Sequence, residues 1–140
     1  SVPNLKIIAS DISKQAIDIA KINAKVAGVE DLIEFQVVDF EKTKMPEPTE
    51  HAVIMFNPEY GERLGEEIEL EATYARMGDF MKNQCKGMTG YIFTGNLDLA
   101  KKIRLKPSRR IEFFNATIDC RLLEYELYAG TKRTDKLQPE

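Results

Sequence analysis

Three polar side chains each follow an apolar run that has the length and composition of a β-strand. With the runs that precede them, they are Asp11 after Leu5–Ser10, Asp39 after Ile33–Val37 and Asn57 after His51–Phe56. In open α/β sheets, ligands bind outside the carboxyl ends of the strands. We therefore expect these three residues to contribute to one ligand site.

The two acids suit a ligand that contains a nucleoside. A carboxylate at a strand's carboxyl end can accept both hydroxyls of a ribose, and this is the role expected for Asp11. Asp39 can accept an adenine amino group while Phe40 or Ile12 lines the base. The alternative for Asp11 is a favourable interaction with the positive end of the helix that follows it.

The four residues Asn57-Pro58-Glu59-Tyr60 suit an exocyclic amine. The Asn57 side-chain oxygen and the Pro58 carbonyl can each accept one N–H, which leaves the nitrogen lone pair directed at an electrophile. Tyr60 can stack on the plane of the base. The alternative is an Asn-Pro turn that is followed by an incidental tyrosine.

Composition excludes several other classes of protein. The 140 residues include 20 Lys and Arg, 23 Asp and Glu and 43% hydrophobic residues, as in a soluble single domain. The longest apolar stretch, Ala52–Phe56, is far shorter than the roughly 20 residues of a membrane span. The net charge of −3 argues against a stand-alone nucleic-acid binder.

The residues that commonly bind metals or form disulfides are few. The chain has one histidine, His51, for which we expect a structural role, and two isolated cysteines, Cys85 and Cys120. These counts favour a reducing cytoplasmic location and chemistry that needs no metal.

Periodicity predicts an α/β protein. A helix is expected between an N-cap at Ser13 and a C-terminal Gly28, and a second helix over about Glu66–Lys86. The second helix has a predicted buried stripe that comprises Leu70, Tyr74, Met77, Met81 and, alongside, Phe80. Further strands are expected at Thr89–Thr94, Ser108–Phe114 and Cys120–Tyr128, with a short helix at Leu97–Ile103.

The element order is strand, helix, strand, strand, helix, strand, helix, strand, strand. Alternation of this kind predicts a mostly parallel sheet. The last two strands follow each other with no helix between them, so they must form an antiparallel hairpin.

The block Asn57–Gly65, NPEYGERLG, resembles the N-P-P-Y-G-E-R-L block of the THUMP-associated RNA methyltransferases of the UPF0020 type. Those bacterial enzymes make N2-methylguanosine in 23S ribosomal RNA. Ser10–Gly28 is similar to the family's acidic strand end and the helix that follows it, and Phe80–Leu99 and Ile118–Cys120 resemble its C-terminal half. The resemblance extends to Gly130.

The resemblance implies a Rossmann-like class I fold that binds S-adenosylmethionine. By position, Asp11 would bind the cofactor ribose and Asp39 the adenine edge, while the Asn57-Pro58-Tyr60 group would hold the target guanine. Arg63 would contact RNA phosphate, or form a salt bridge with a neighbouring acid. The family's second proline is Glu59 here, and its carboxylate could accept the guanine N1–H. No metal and no covalent intermediate would be required.

Residues 1–130 would then be part of a catalytic domain, with residues 131–140 as a mobile tail. We expect the family's first strand, its Gly-rich turn and an RNA-binding THUMP region to belong to a longer enzyme. Without that first strand, the strands that end in Asp11 and Asn57 would each have an unpaired edge, which we do not expect to stay open. The two edges would pair with each other, a neighbouring chain would fill the gap, or the first strand itself would be present in the molecule. In the first two cases the chain alone would bind the cofactor at least about a thousandfold more weakly than the intact protein.

Three alternatives to an RNA methyltransferase remain at this point. The Asn-Pro-aromatic group also suits a DNA or protein amine or amide methyltransferase. A dinucleotide-binding domain would use Asp11 but gives no reason for Asn57-Pro58-Glu59-Tyr60. A non-catalytic α/β domain would use neither group.

Overall fold

The structure, a computed structural model, describes residues 5–47, 51–61, 65–115 and 118–128. The chain divides into two compact units, Ser1–Pro48 and Thr49–Glu140. The predicted order of strands and helices is confirmed, with three short 3₁₀ turns in addition. Arg63 and the expected tail, residues 131–140, lie outside the described residues.

The first unit is a parallel strand pair with one connecting helix. Its elements are β1 (Ile7–Asp11), α1 (Lys14–Ala27) and β2 (Ile33–Val37), with 3₁₀ turns at Glu30–Leu32 and Phe40–Lys42. In the register of the pair, Ile7 lies opposite Ile33 and Asp11 opposite Val37. Both strands therefore present their carboxyl ends at the same edge.

Local chemistry sets both ends of α1. The Ser13 hydroxyl accepts a hydrogen bond from the Ala16 N–H at 3.1 Å, as expected of an N-cap. Gly28 has a φ of 76°, the left-handed conformation that favours glycine after a helix, and its N–H bonds back to the helix carbonyls. Both predicted ends are confirmed.

The second unit is a mixed four-stranded sheet with helices. Its elements are β3 (Val53–Phe56), α2 (Glu67–Gln84), β4 (Thr89–Thr94), α3 (Leu97–Ala100), a 3₁₀ turn (Lys101–Ile103), β5 (Arg109–Asn115) and β6 (Ile118–Glu126). The strand order is β3-β4-β6-β5. β3 and β4 are parallel, and β6 is antiparallel to both β4 and β5. The predicted hairpin is confirmed, and β6 lies between β4 and β5.

The strand that precedes Asn57 lies at the edge of its sheet in the described part of the chain. Among the described residues β3 pairs with β4 alone, so it is an edge strand of its sheet. Val53 and Met55 on one face are 58% and 61% exposed, while the alternate residues Ile54 and Phe56 are half-buried. The run is apolar on both faces, but only one face of it is covered within this unit.

The core of the second unit forms between α2 and the sheet. Tyr74, Met77, Phe80 and Met81 are buried, as predicted, whereas Leu70 in the first turn of α2 is half-buried. Gly90 on β4 lies against this helix, since a Cβ built there would come within 2.7 Å of the Met81 sulfur. Large side chains on α2 thus pack against a small one on the strand.

Both cysteines are buried, and neither forms a disulfide. Burial raises the pKa of the Cys85 thiol to about 11, so it stays protonated and unreactive near neutral pH. No helix in the described ranges is long and apolar enough to cross a membrane.

Candidate active site

The acidic strand ends of the first unit are held in fixed orientations by backbone hydrogen bonds. Asp11 Oδ1 accepts the Ser13 N–H at 2.8 Å, and Asp39 Oδ1 accepts the Glu41 N–H at 3.0 Å. The Val38 N–H donates to the Asp11 carbonyl at 3.0 Å, which joins the two strand ends. The structure therefore brings Asp11 and Asp39 to one edge of the β1–β2 pair, as predicted from the sequence.

The side chains beside these acids provide apolar surface. Ile12 is 72% exposed although it is a large aliphatic residue, and Phe40 is half-buried. A solvent-facing carboxylate at the end of β1 with apolar neighbours has the donor–acceptor chemistry for a ribose and the surface for a base. These residues therefore fit the nucleoside part of a cofactor.

A separate cavity of about 210 Å³ opens at the other ends of β1 and β2. Its lining includes Leu5, Lys6, Ile7, Asp31, Leu32, Ile33 and Glu34. It contains neither Asp11 nor Asp39, so it is not part of the candidate site.

In the second unit, the loop Asn57–Gly61 follows β3 directly and alternates in exposure. Asn57 and Glu59 are exposed, whereas Pro58 and Tyr60 are half-buried. Gly61 has a φ of 72°, and a Cβ there would meet the Leu70 side chain at 3.2 Å. The loop turns at this glycine and packs against the first turn of α2.

Two side chains hold the backbone of this loop from the interior. The Tyr74 hydroxyl donates to the Glu59 carbonyl at 2.7 Å. The Asn96 side-chain amide donates to the Tyr60 carbonyl at 2.8 Å. The conformation at Glu59, where the resemblance led us to expect proline, is therefore fixed by hydrogen bonds.

Thr94 connects these two supports. Its hydroxyl lies 2.8 Å from the Tyr74 oxygen and accepts the Asn96 backbone N–H at 3.1 Å. Because the Tyr74 proton is directed to the Glu59 carbonyl, the Thr94 hydroxyl donates to Tyr74. Thr94 is fully buried, and among the described residues no other side chain classed as polar or charged is buried. A chain of donors thus runs from Asn96 through Thr94 and Tyr74 to the loop.

The hydroxyl of Tyr74 stays a donor over the neutral range. Burial raises its pKa above the ordinary value, and this outweighs the opposite effect of the hydrogen bond with Thr94. Tyr74 therefore remains protonated near neutral pH.

Two acceptors of the loop stay available to a ligand. Within the described part of the chain, neither the Asn57 side chain nor the Pro58 carbonyl makes a hydrogen bond. The next two carbonyls, of Glu59 and Tyr60, are the ones occupied from the interior. The acceptors expected to receive an exocyclic amine are thus among those that make no hydrogen bond within the described residues.

Tyr60 is anchored at its far end. The Cys120 thiol lies 3.9 Å from the Tyr60 hydroxyl, and Cys120 is fully buried in β6. A hydroxyl that faces the protein leaves the ring as the part of the side chain that a ligand can contact. Stacking of Tyr60 on a base stays a prediction.

Three residues behind the loop, Tyr74, Thr94 and Asn96, were not anticipated as site residues. Tyr74 was assigned to the buried stripe of α2 on its periodicity, which says nothing of its hydroxyl. The sequence signal that could have identified these three residues is the need of a buried hydroxyl for a hydrogen-bond partner. A tyrosine on a buried face needs a partner for its hydroxyl, and a Thr-x-Asn sequence between a strand and a helix supplies one.

The sequence over residues 1–124 matches the profile of a protein family described as UPF0020: RMKL-like, methyltransferase domain. The chain belongs to the UPF0020 family. This match confirms the resemblance to the UPF0020 family that Asn57–Gly65 and the neighbouring segments indicate. It extends over most of the chain.

Relatives and solved structures agree with membership of UPF0020. Ribosomal RNA large subunit methyltransferase K/L of Shewanella baltica (strain OS185) is 34% identical over 131 residues. This alignment covers 94% of the chain but 18% of the relative, so the chain spans about a fifth of that protein's length.

Two crystal structures share the fold of this UPF0020 domain. One is "a possible methylase" from Clostridium difficile 630, with a TM-score of 0.79 and 29% identity over 91% of this chain and 33% of that one. The other, from Listeria monocytogenes, is described as "a predicted N6-adenine-specific DNA methylase" and has a TM-score of 0.71 at 29% identity over 85% and 30%. The class I methyltransferase fold is thus confirmed.

The support behind the loop predicts a stability effect. Thr94→Val keeps the side-chain shape but removes the hydroxyl, which leaves the Tyr74 oxygen and the Asn96 N–H each short of a partner. We expect the free energy of unfolding to fall by about 1–3 kcal/mol in urea titrations. Thr73→Val is the control, because its hydroxyl makes a local 3.3 Å bond to the Glu69 carbonyl on α2. Equal losses for the two variants would contradict the network.

Proposed function

We propose that this UPF0020 domain transfers a methyl group from S-adenosylmethionine to the exocyclic N2 of guanine in 23S ribosomal RNA. Membership of UPF0020 and the ribosomal RNA methyltransferase name of the Shewanella relative support the reaction class and the substrate. A cytoplasmic location and recruitment of RNA through a THUMP region elsewhere in the protein belong to the same proposal.

The observation that carries the proposal is that the acceptors of the Asn57–Gly61 loop fall into two groups, those that are hydrogen-bonded from the interior and those that are not. The Glu59 and Tyr60 carbonyls are held by Tyr74 and Asn96, while the Asn57 amide oxygen and the Pro58 carbonyl make no hydrogen bond with any residue that the structure describes. Two open acceptors on adjacent residues match the two N–H groups of a primary amine attached to a planar base.

The two acceptors position the nucleophile. When both N–H groups of the guanine amine are bonded to Asn57 and Pro58, its lone pair is directed away from them. The nitrogen then forms a bond to the methyl carbon, the carbon–sulfur bond breaks, and the nitrogen releases one proton to solvent. Orientation of this kind accelerates a reaction because it replaces a random encounter with a fixed approach.

The residues of the first unit suit the cofactor. S-adenosylmethionine supplies a methyl group on a positively charged sulfonium, which is a good leaving group and needs no metal. Asp11 would accept the ribose hydroxyls and Asp39 the adenine amino group, while Ile12 and Phe40 contact the base. The Asp11 carboxylate is held by the Ser13 N–H through one oxygen, so its other oxygen can bind the ligand.

Glu59 and Arg63 complete the proposal for the substrate. Glu59 is exposed on the loop, where its carboxylate can accept the guanine N1–H, a donor that adenine lacks. Arg63 would contact an RNA phosphate. The Listeria neighbour is described as a predicted N6-adenine-specific DNA methylase. The methyl-transfer assay below therefore compares label on guanine with label on adenine.

Asn57→Ala in the intact enzyme is expected to lower single-turnover methyl transfer to 23S ribosomal RNA at least about a hundredfold. The affinity for S-adenosylmethionine should stay within about twofold, because Asn57 acts on the nucleophile. Transfer is measured with a tritiated methyl group and binding by calorimetry. Asn83→Ala, on the exposed surface of α2, is the matched control and should leave both unchanged.

The same assay tests the substrate. Unmethylated 23S ribosomal RNA should accept the label on guanine, and adenine-containing DNA should not. Label found on adenine would overturn the guanine assignment, and a loss confined to cofactor affinity in Asn57→Ala would overturn the role of Asn57.

Asp11→Ala is expected to weaken cofactor binding by about 1.5–3 kcal/mol, or roughly tenfold to a hundredfold, because buried ribose hydroxyls lose a charged acceptor. Asp31→Ala is the control, since that exposed acid lies at the other end of the β1–β2 pair. Calorimetric affinities that are equal in the two variants would show that Asp11 acts only at the start of α1.

A further inference from the structure

The segment Lys101–Arg110, here called the basic segment, concentrates positive charge in an otherwise acidic chain. Six of its ten residues are basic and none is acidic, although the chain as a whole carries a net charge of −3. All six are exposed. They are Lys101, Lys102, Arg104, Lys106, Arg109 and Arg110.

Three of the six basic side chains have no acidic partner in the part of the chain that the structure describes. Arg109 pairs with Glu124 at 3.3 Å, and Lys101 and Lys102 make longer exposed contacts of 3.8 and 3.9 Å to carboxylates. Among the described residues, no carboxylate lies within 4 Å of the three remaining side chains, Arg104, Lys106 and Arg110. Neighbouring like charges without counter-charges favour a polyanionic partner.

The basic segment stands on a rigid base. Leu99 precedes the basic segment and Ile103 lies within it, and each of these side chains is 2% exposed. A Cβ built on Gly78 of α2 would lie 1.9 Å from the Ile103 carbonyl oxygen, so the helix and this turn are in direct backbone contact. Arg104 follows with a φ of 62°, which is uncommon for a residue other than glycine. Its side chain is thus presented from a fixed backbone.

The same base supports the loop that is proposed to hold the target guanine. Asn96, the N-cap of α3, donates to the Tyr60 carbonyl at 2.8 Å. A Cβ on Gly61 would lie 3.7 Å from a Leu99 methyl carbon. The basic segment begins two residues after Leu99, so its backbone continues directly from a residue that contacts the loop.

An exposed aromatic ring extends this surface. Phe114 on β5 is 76% exposed and lies on the same face of the strand as Arg110, four residues earlier. Glu112 lies between them on that face, and its carboxylate pairs with Arg121 at 3.5 Å. An unpaired base can stack on such a ring, and stacking on aromatic side chains is typical of single-stranded RNA recognition.

We propose that the basic segment and Phe114 form an RNA docking surface. Arg104, Lys106 and Arg110 bind phosphates that flank the target nucleotide, and Phe114 stacks on an unpaired base of the same RNA. This inference rests on the proposed function, because RNA is the substrate only in that case. The surface supplies affinity near the loop, and Asn57 and Pro58 supply the orientation of the amine.

The test compares two triple variants of the intact protein that remove the same charge. Arg104→Gln, Lys106→Gln and Arg110→Gln are made together, and the control combines Lys25→Gln, Lys82→Gln and Lys86→Gln near the ends of α1 and α2. Binding of a fluorescein-labelled single-stranded RNA is followed by anisotropy at several salt concentrations.

The first variant should bind at least about tenfold more weakly, and its slope of log affinity against log salt should fall by about 2. The control should change neither quantity by a comparable amount. In methyl transfer, the KM for ribosomal RNA should rise while kcat and cofactor affinity stay unchanged.

Phe114→Ala gives an independent measurement. It should weaken RNA binding at least about fivefold and leave the salt slope unchanged, because stacking releases no counterions. Wild-type affinity and slope in the triple variant would overturn the docking surface, as would tighter binding of poly-glutamate than of RNA. If the wild-type protein methylates no RNA but the triple variant still loses RNA binding, the proposed function fails while the docking surface stands.

Discussion

The hydrogen bond from the Tyr74 hydroxyl to the Glu59 carbonyl determines the conformation of the loop on which the proposed chemistry depends. A loop that ends a strand would ordinarily satisfy its carbonyls with water and move accordingly. Here the carbonyls of Glu59 and Tyr60 are bonded to Tyr74 and Asn96, and Thr94 connects those two side chains. Because these partners are buried or half-buried, the bonds are shielded from competing water. The loop backbone next to Asn57 and Pro58 is therefore held in place before any ligand arrives.

The same constraint links the site to the rest of the second unit. Tyr74 belongs to α2, whose other buried side chains pack on the sheet, and Asn96 caps α3 through the Leu99 N–H at 2.9 Å. The close approach of Gly78 to the Ile103 carbonyl fixes the turn after α3 against α2. The core, the loop and the basic segment thus share one set of contacts, so we expect a change at the helix interface to affect both proposed RNA contacts.

Features that depend on local chemistry were predictable from the sequence. Ser13 and Gly28 set the ends of α1 by capping, and the last two strands form a hairpin because no crossover helix joins them. Features that depend on residues far apart in the sequence were not predictable. Periodicity placed Tyr74 in the core but gave no sign that its hydroxyl bonds to a carbonyl fifteen residues away. The net charge of −3 concealed the local charge of Lys101–Arg110.

The central claim is that Tyr74 acts on methyl transfer only through the loop that carries Asn57. A double-mutant cycle tests it directly, with single-turnover methyl transfer to 23S ribosomal RNA at saturating S-adenosylmethionine. Tyr74→Phe should slow transfer by about tenfold in the wild-type background, because a displaced acceptor misaligns the amine. In the Asn57→Ala background the same substitution should slow transfer by less than about twofold, since the orientation it protects is already lost. Equal slowing in the two backgrounds would contradict this account.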